Sequence, residues 1–377
     1  RQGYRGPVYS TSGTKDLCEL LLPDAGRLQE EDAEYANKKG YSKHKPALPL
    51  FTEEEARRAL ELFQTVPFGQ EISVGSEFCV KWRPSGHIVG AGSIYLSAEG
   101  KKILFSGDLG RREDLVMKPP APAENADYVV VESTYGARIH PKDDAVADLG
   151  EAIRRTFNRS GVVIIPAFSV GRTQAVLYAL YLLKQREALR GAPVYLNSPM
   201  SVNAMGIYCG HQTEHKLTDE ECDGMCAVAK YMRTIEESKS LNRKHGPMII
   251  VSASGMATGG RVLHHIKQFA PDPRNLILFA GYQAGGTRGA DLVRGAKMLK
   301  MHGRQVPVNA EVAMLEGMSA HADQEEIVSW LKGMNNSPKK VFVTHGEPEG
   351  ASALQFAIKE KLGWESEMPQ HMEAQEL

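Results

Sequence analysis

The chain has 377 residues, 42% of them hydrophobic and 24% charged, which excludes a disordered or fibrous protein and fits a folded chain of two or three domains. A formal net charge of −1 gives no global sign of a polyanion partner, so any nucleic-acid site has to be a local basic patch. No stretch approaches the ~18 consecutive apolar residues of a membrane helix, and the scattered Cys18, Cys79, Cys209, Cys222 and Cys226 read as reduced thiols of a cytoplasmic protein.

The opening, RQGYRGPVYSTSGTKDLCELL, runs from a strand-like GPVYST into a helix-like stretch. It reads as starting in mid-fold, so an upstream segment is expected. A helix is predicted over 52–64, with Thr52 as N-cap and Glu55 three residues on. Short strands follow around 77–83, 93–97, 102–106 and 127–132, and the glycines between them predict a sheet of sequential hairpins. From about residue 137 the texture changes. A helix over 143–158 leads to the apolar strand GVVIIPAF (161–168), then to a helix in GRTQAVLYALYLLKQ, the strand APVYLN, another helix and the strand GPMIIVSAS. This alternation is that of a parallel α/β domain. The polar stretch 210–247 is expected to be helical and mobile. After residue 318 a helix (323–333), the strand KKVFVTH and a last helix complete the chain, with a frayed tail from Pro369. Cys222 and Cys226 stand four apart, but no second Cys/His pair sits at matching spacing, so they are not read as a metal site.

Four polar residues stand at the ends of apolar strands: His87 in PSGHIVGAGS, Asp108 in ILFSGDLGR, Glu132 in YVVVESTYG and His345 in VFVTHGEPEG. His321, in EGMSAHADQEE, is a fifth. Each alone reads as a structural or turn residue. Together they occupy the strand ends where α/β folds place their chemistry. His and Asp are ligand types for zinc and related metals, and an Asp can bridge two cations with its two oxygens.

SGHIVGAGS, FSGDLGR, ESTYG, SAHAD and THGE, in this order and spacing, resemble the motifs of the β-CASP branch of the metallo-β-lactamase fold. PAFSVGRTQ, SASGMATGGR and GYQAGGTRG resemble stretches of that branch's inserted domain. The resemblance implies an αββα sandwich, here lacking its N-terminal part, with an inserted β-CASP α/β domain. The division would be 1–136 and 319–377 for the sandwich and 137–318 for the insertion. It implies a zinc-dependent ribonuclease with two zinc ions, cleaving RNA endonucleolytically, with no membrane partner and with a homodimer left open. Residue by residue, it makes His87 a ligand of one zinc, Asp108 the bridging carboxylate and His345 a ligand of the second zinc. Glu132 would orient His321, which would act as general acid or contact the scissile phosphate. Two cations ~3.5–4 Å apart suit in-line displacement at phosphorus, and general-acid help is worth ~10²–10⁴-fold.

One departure is large. The branch's His-x-His-x-Asp-His signature is absent, and the only adjacent histidines are His264 and His265. The resemblance places that signature before residue 1. The chain as it stands is therefore expected to bind metal weakly, with a partial or empty site, and to be inactive by itself. For the substrate, the glycine-rich turn with Ser252, Ser254, Gly255 and Arg261, the helix start at Arg172, Ser319, and the basic run opening at Arg288 are candidate phosphate or RNA contacts. No aromatic-rich recognition motif is visible, so base preference is not legible. The rival readings are a non-catalytic RNA-binding relative, a small-molecule metallo-hydrolase, and a DNA-directed nuclease. His345 in THGE argues against the last of these, because DNA-directed members usually carry Val there.

Overall fold

The computed structural model describes residues 3–142 and 144–377. Arg1, Gln2 and Asp143, the first residue of the helix expected at 143–158, lie outside the described residues. Two sheets dominate. In chain order the strands are β1 (Val8–Ser10), β2 (Phe63–Thr65), β3 (Glu71–Val74), β4 (Phe78–Pro84), β5 (Gly92–Ala98), β6 (Lys101–Phe105), β7 (Tyr128–Glu132), β8 (Val162–Pro166), β9 (Val194–Leu196), β10 (Lys230–Tyr231), β11 (Met248–Ser252), β12 (Leu276–Phe279), β13 (Met298–Met301), β14 (Arg304–Pro307), β15 (Glu311–Met314), β16 (Lys340–Thr344) and β17 (Ser366–Glu367).

The first sheet has seven strands in the order β17-β16-β7-β6-β5-β4-β3. It is built by both flanks of the chain. β3 to β6 form an antiparallel meander, in which the hairpins β4-β5 and β5-β6 are those predicted and β3 is an additional strand. β7, however, pairs parallel with β6, and β16 parallel with β7. The hairpin expectation fails at β7 because a parallel partner needs a long crossover, which the 106–127 connection supplies. The second sheet has six strands in the order β10-β9-β11-β8-β12-β15, and every pairing in it is parallel. Its central strands β8, β9, β11 and β12 are buried at every residue. That is why they read as unbroken apolar runs rather than as alternation.

The helices are α1 (Ser12–Lys39), α2 (Glu53–Leu60), α3 (Ala145–Asn158), α4 (Arg172–Gln185), α5 (Pro199–Gly210), α6 (Asp219–Ala227), α7 (Ile235–Leu241), α8 (Val262–Phe269), α9 (Arg288–Val293), α10 (Gln324–Lys332) and α11 (Pro348–Leu362). The Thr52/Glu55 capping box expected of α2 is present. The polar stretch 210–247 is anchored rather than loose. Capping boxes start α6 at Thr218/Glu221 and α7 at Thr234/Glu237. Met225 and Leu241 in them are fully buried, so sparse apolar residues at packing spacing outweigh the polar composition. Helix α1 docks where its Thr11 cap and Thr14 both donate hydroxyl hydrogen bonds to Gly90 O, at 2.7 and 2.9 Å. A Cβ on Gly90 would lie 2.1 Å from Thr14 N, so only glycine permits this approach. Among the described residues no helix is long and apolar enough to cross a membrane.

Candidate active site

β6, β7 and β16 run parallel, and β4 lies two antiparallel steps from β6. The C-terminal ends of all four strands therefore meet at one edge of the seven-stranded sheet, where Glu132 ends β7 and His87, Asp108 and His345 follow the other three. The connecting loops are stitched together by Gly110 N donating to Ser85 O at 2.8 Å and Ala322 N donating to Leu109 O at 2.8 Å. The second contact brings in His321. Gly110 has no room for a side chain, since a Cβ would fall 2.0 Å from Gly86 O. Asp108 is aimed by its neighbours: Gly107 takes the left-handed φ of 58°, and Leu109 is fully buried while its N–H donates to Glu132 Oε1 at 2.7 Å.

The carboxylate of Asp108 lies between two imidazoles. One oxygen is 3.8 Å from His87 Nε2 and the other 3.2 Å from His345 Nδ1. Donor atoms of His87, Asp108 and His321 lie within 4.8 Å of one another. The His87 and His321 rings are in contact, tilted by 46° with centroids 4.3 Å apart. Burial, then the neighbouring His321, pushes the pKa of His87 down to about 3, so it stays neutral at ordinary pH and keeps a lone pair for a cation. His321 Nδ1 sits 3.1 and 3.2 Å from the two oxygens of Glu132. Burial by itself would raise the pKa of Glu132. Hydrogen bonds from His321, Thr134 and Leu109 outweigh it, and the carboxyl is held below its ordinary range. Glu132 is thus an ionised, buried anchor that fixes His321 with Nδ1–H as donor.

His140 was not expected from the sequence. Its ring Nε2 lies 2.9 Å from His321 O and its N–H donates to Asp323 Oδ2 at 2.7 Å. It therefore holds the His321 backbone. His140, Asp323 and Glu326 converge closely enough for a metal, but the Asp323 and Glu326 carboxylates already accept the N–H groups of His140, Glu326, Asp323 and Arg112. A lone His in ARIHPK gives no sequence signal of this role.

A cleft of about 950 Å³ separates this edge from the C-terminal edge of the parallel sheet. His87, His321 and Ser319 line one side; Arg172, Ser254, Gly255 and Arg261 line the other. Arg172 opens α4 behind Gly171, which lacks a capping side chain. Its guanidinium lies against Gly281, deep enough for burial to lower its pKa. No hydrogen bond or ion pair satisfies that guanidinium among the described residues. Ser254 Oγ accepts N–H bonds from Thr258 and Gly259 at 3.1 and 3.3 Å, closing the glycine-rich turn. Ser319 is buried and its Oγ accepts from His321 N at 3.3 Å. Arg261 faces the cleft, yet its guanidinium donates to Asn197 Oδ1 and to the carbonyls of Met232 and Arg233 at 2.8–2.9 Å. Two expected contacts are not brought there. Ser252 is buried beneath the cleft with its hydroxyl on Asn197 O, and Arg288 lies outside the lining, donating to the carbonyls of Lys300 and Thr258. Strand-end pattern and charge say nothing about which way these two point.

The fold and this constellation set metal-ligating side chain types together beside a cleft. The Beta-Casp domain family matches residues 173–292, and the Zn-dependent metallo-hydrolase RNA specificity domain matches residues 305–369. Ribonuclease TTHA0252 of Thermus thermophilus is 35% identical over 361 residues, spanning 94% of this chain and 78% of that protein. An RNase J-like protein of Methanocaldococcus jannaschii is 31% identical over 317 residues, spanning 82% of this chain and 72% of that protein. The transcription termination factor FttA of Pyrococcus abyssi is 28% identical over 388 residues, covering 98% of this chain but 58% of the factor. The chain spans little more than half the length of such factors. It belongs to the β-CASP family of metallo-β-lactamase-fold RNA-processing nucleases, for which a metal is the cofactor.

Proposed function

We propose that the protein is a zinc-dependent ribonuclease of the cytoplasm that hydrolyses RNA phosphodiester bonds endonucleolytically. The observation that carries this reading is Asp108, with one oxygen toward His87 and the other toward His345, beside a His321 held by buried Glu132. Two imidazoles and a carboxylate are a donor set that fits zinc, and His87, Asp108 and His345 would be the donors this chain offers to the ions. When bound, the ions supply Lewis acidity and a water of lowered pKa. The chain's own groups do the rest. Glu132 holds His321 with Nδ1–H inward, so Nε2 is the atom that exchanges a proton with the leaving oxygen. Arg172, a half-buried cation with no hydrogen-bond or ion-pair partner among the described residues, holds a phosphate. The same reading divides the chain into 1–136, 137–318 and 319–377.

The test is cleavage of a labelled single-stranded RNA by the complete gene product, with zinc content measured on the same samples. Zinc-dependent cleavage that is lost with zinc in Asp108→Ala is the expected result. Unchanged cleavage in Asp108→Ala and His345→Ala would remove the ligand assignment. RNA binding without zinc or cleavage would favour the non-catalytic reading.

A further inference from the structure

The cleft is more apolar than a track for phosphates requires. Leu21 and Leu28 of α1, Ile88, Met200 and Phe168 all contribute to its walls. Phe168 stands out. It follows β8, whose residues are all buried, yet it is itself 44% exposed. A large ring left half in water on a concave wall points to a ligand more than to packing.

The ring is also held in place. Phe168 O accepts from Thr173 N at 3.1 Å and from Thr173 Oγ1 at 2.7 Å, which pins the loop to the first turn of α4. The ring rests on Gly255, where an added Cβ would lie 2.8 Å from Phe168 Cδ2. The glycine of the glycine-rich turn thus makes the seat for this aromatic. Arg172 opens α4 four residues on, with its guanidinium unpartnered in the same cleft. The loop and the helix start it leads into therefore present an exposed aromatic face and a cation together, the pair of groups that a nucleotide needs for its base and its phosphate.

We infer that Phe168 is the platform on which a base of single-stranded RNA stacks, next to the phosphate held by Arg172. This rests on the RNA reading above and adds to it the side chain that meets the base. Stacking accepts any base, because every base has a π face. In a double helix those faces are covered by neighbouring pairs, so a duplex cannot use the platform.

The experiment is equilibrium binding, by fluorescence anisotropy with a chelator present to prevent cleavage, of a short oligoadenylate and of the same backbone carrying abasic sites. The native protein should prefer oligoadenylate. Phe168→Ala and Phe168→Leu should weaken oligoadenylate by about 5- to 100-fold and leave the abasic strand unchanged, while Phe168→Tyr should restore native binding. Equal weakening on both strands, or none on either, would overturn the platform while leaving the RNA reading intact. If the native protein binds neither strand, the RNA reading falls and the platform with it. Should Phe168→Ala fold poorly, the native protein's preference for oligoadenylate over the abasic strand and the Leu/Tyr contrast still decide. No such preference, or Leu and Tyr behaving alike, overturns the proposal.

Discussion

The two walls of the cleft are both C-terminal edges of sheets, yet they are furnished differently. At the seven-stranded edge five ionisable side chains converge from loops that are distant in sequence, and they contact one another. At the parallel edge the groups are a glycine-rich turn, an uncapped helix start, the half-buried Arg172 and the Phe168 ring. The difference follows from the work each wall would do. Activating water and protonating a leaving group need charges held within ångströms of one another, which loops stitched by hydrogen bonds provide. Holding a polymer needs separate handles for phosphate and base that need not touch.

Substitutions should separate the walls. The largest effect is expected at Asp108: Asp108→Ala in the complete gene product should lower metal-dependent cleavage to background and zinc content with it, as read by elemental analysis beside the cleavage assay. Next, His321→Gln should lower kcat by about 10²–10⁴-fold with KM little changed. Glu132→Gln should lower it by about 10–100-fold, because it only positions the imidazole. A larger loss in KM than in kcat for either would shift them to the binding wall. Arg172→Met should do the reverse. It should weaken RNA binding at unchanged melting temperature and reduce the salt dependence of binding by about one unit of slope. An unchanged slope would mean that Arg172 does not meet a phosphate.

The smallest effect concerns the floor of the parallel wall. His265 is fully buried, with Nε2 2.6 Å from Asn197 Nδ2 and Nδ1 2.7 Å from Asn242 Oδ1. A neutral ring that donates from Nδ1 and accepts at Nε2 satisfies both partners. Burial, then the neighbouring His264 and Arg261, pushes its pKa down to about 4 from an ordinary 6.5. The unfolded chain therefore binds a proton that the folded one refuses, so the stability from this site is full above pH 6.5 and falls as pH drops toward 4. The expected loss between pH 7 and pH 5 is about 2 kcal/mol, measured by urea unfolding at the two pH values. His265→Gln should flatten that slope without touching the catalytic wall's pH dependence.

Much of this was legible in the sequence because the signals are local. The capping box of α2, the apolar runs of β8 and β11 and the sharp Gly107-Asp108-Leu109 turn each depend on residues within a few positions. The parallel pairing of β7 with β6 was not legible, since the 106–127 crossover has no helix to announce it. Nor were the α6 and α7 anchors recognised, although Thr218/Glu221 and Thr234/Glu237 carry the same capping signature as α2. His140 and Phe168 are ordinary residues in their own neighbourhoods. Only a partner far along the chain, the His321 carbonyl for one and the bare backbone of Gly255 for the other, gives them a place.

By itself, the sequence determined which residue types stand at strand ends, and the order of five motifs that marks the family. Those are properties of short windows, where backbone preference and side-chain chemistry are written together. The tertiary structure alone decided that both oxygens of Asp108 meet a histidine, that Arg261 is occupied by backbone carbonyls while Arg172 is not, and that an aromatic faces the cleft. Each of these turns on the direction of a side chain across a sheet edge, and direction is set by the packing of segments separated by many tens of residues.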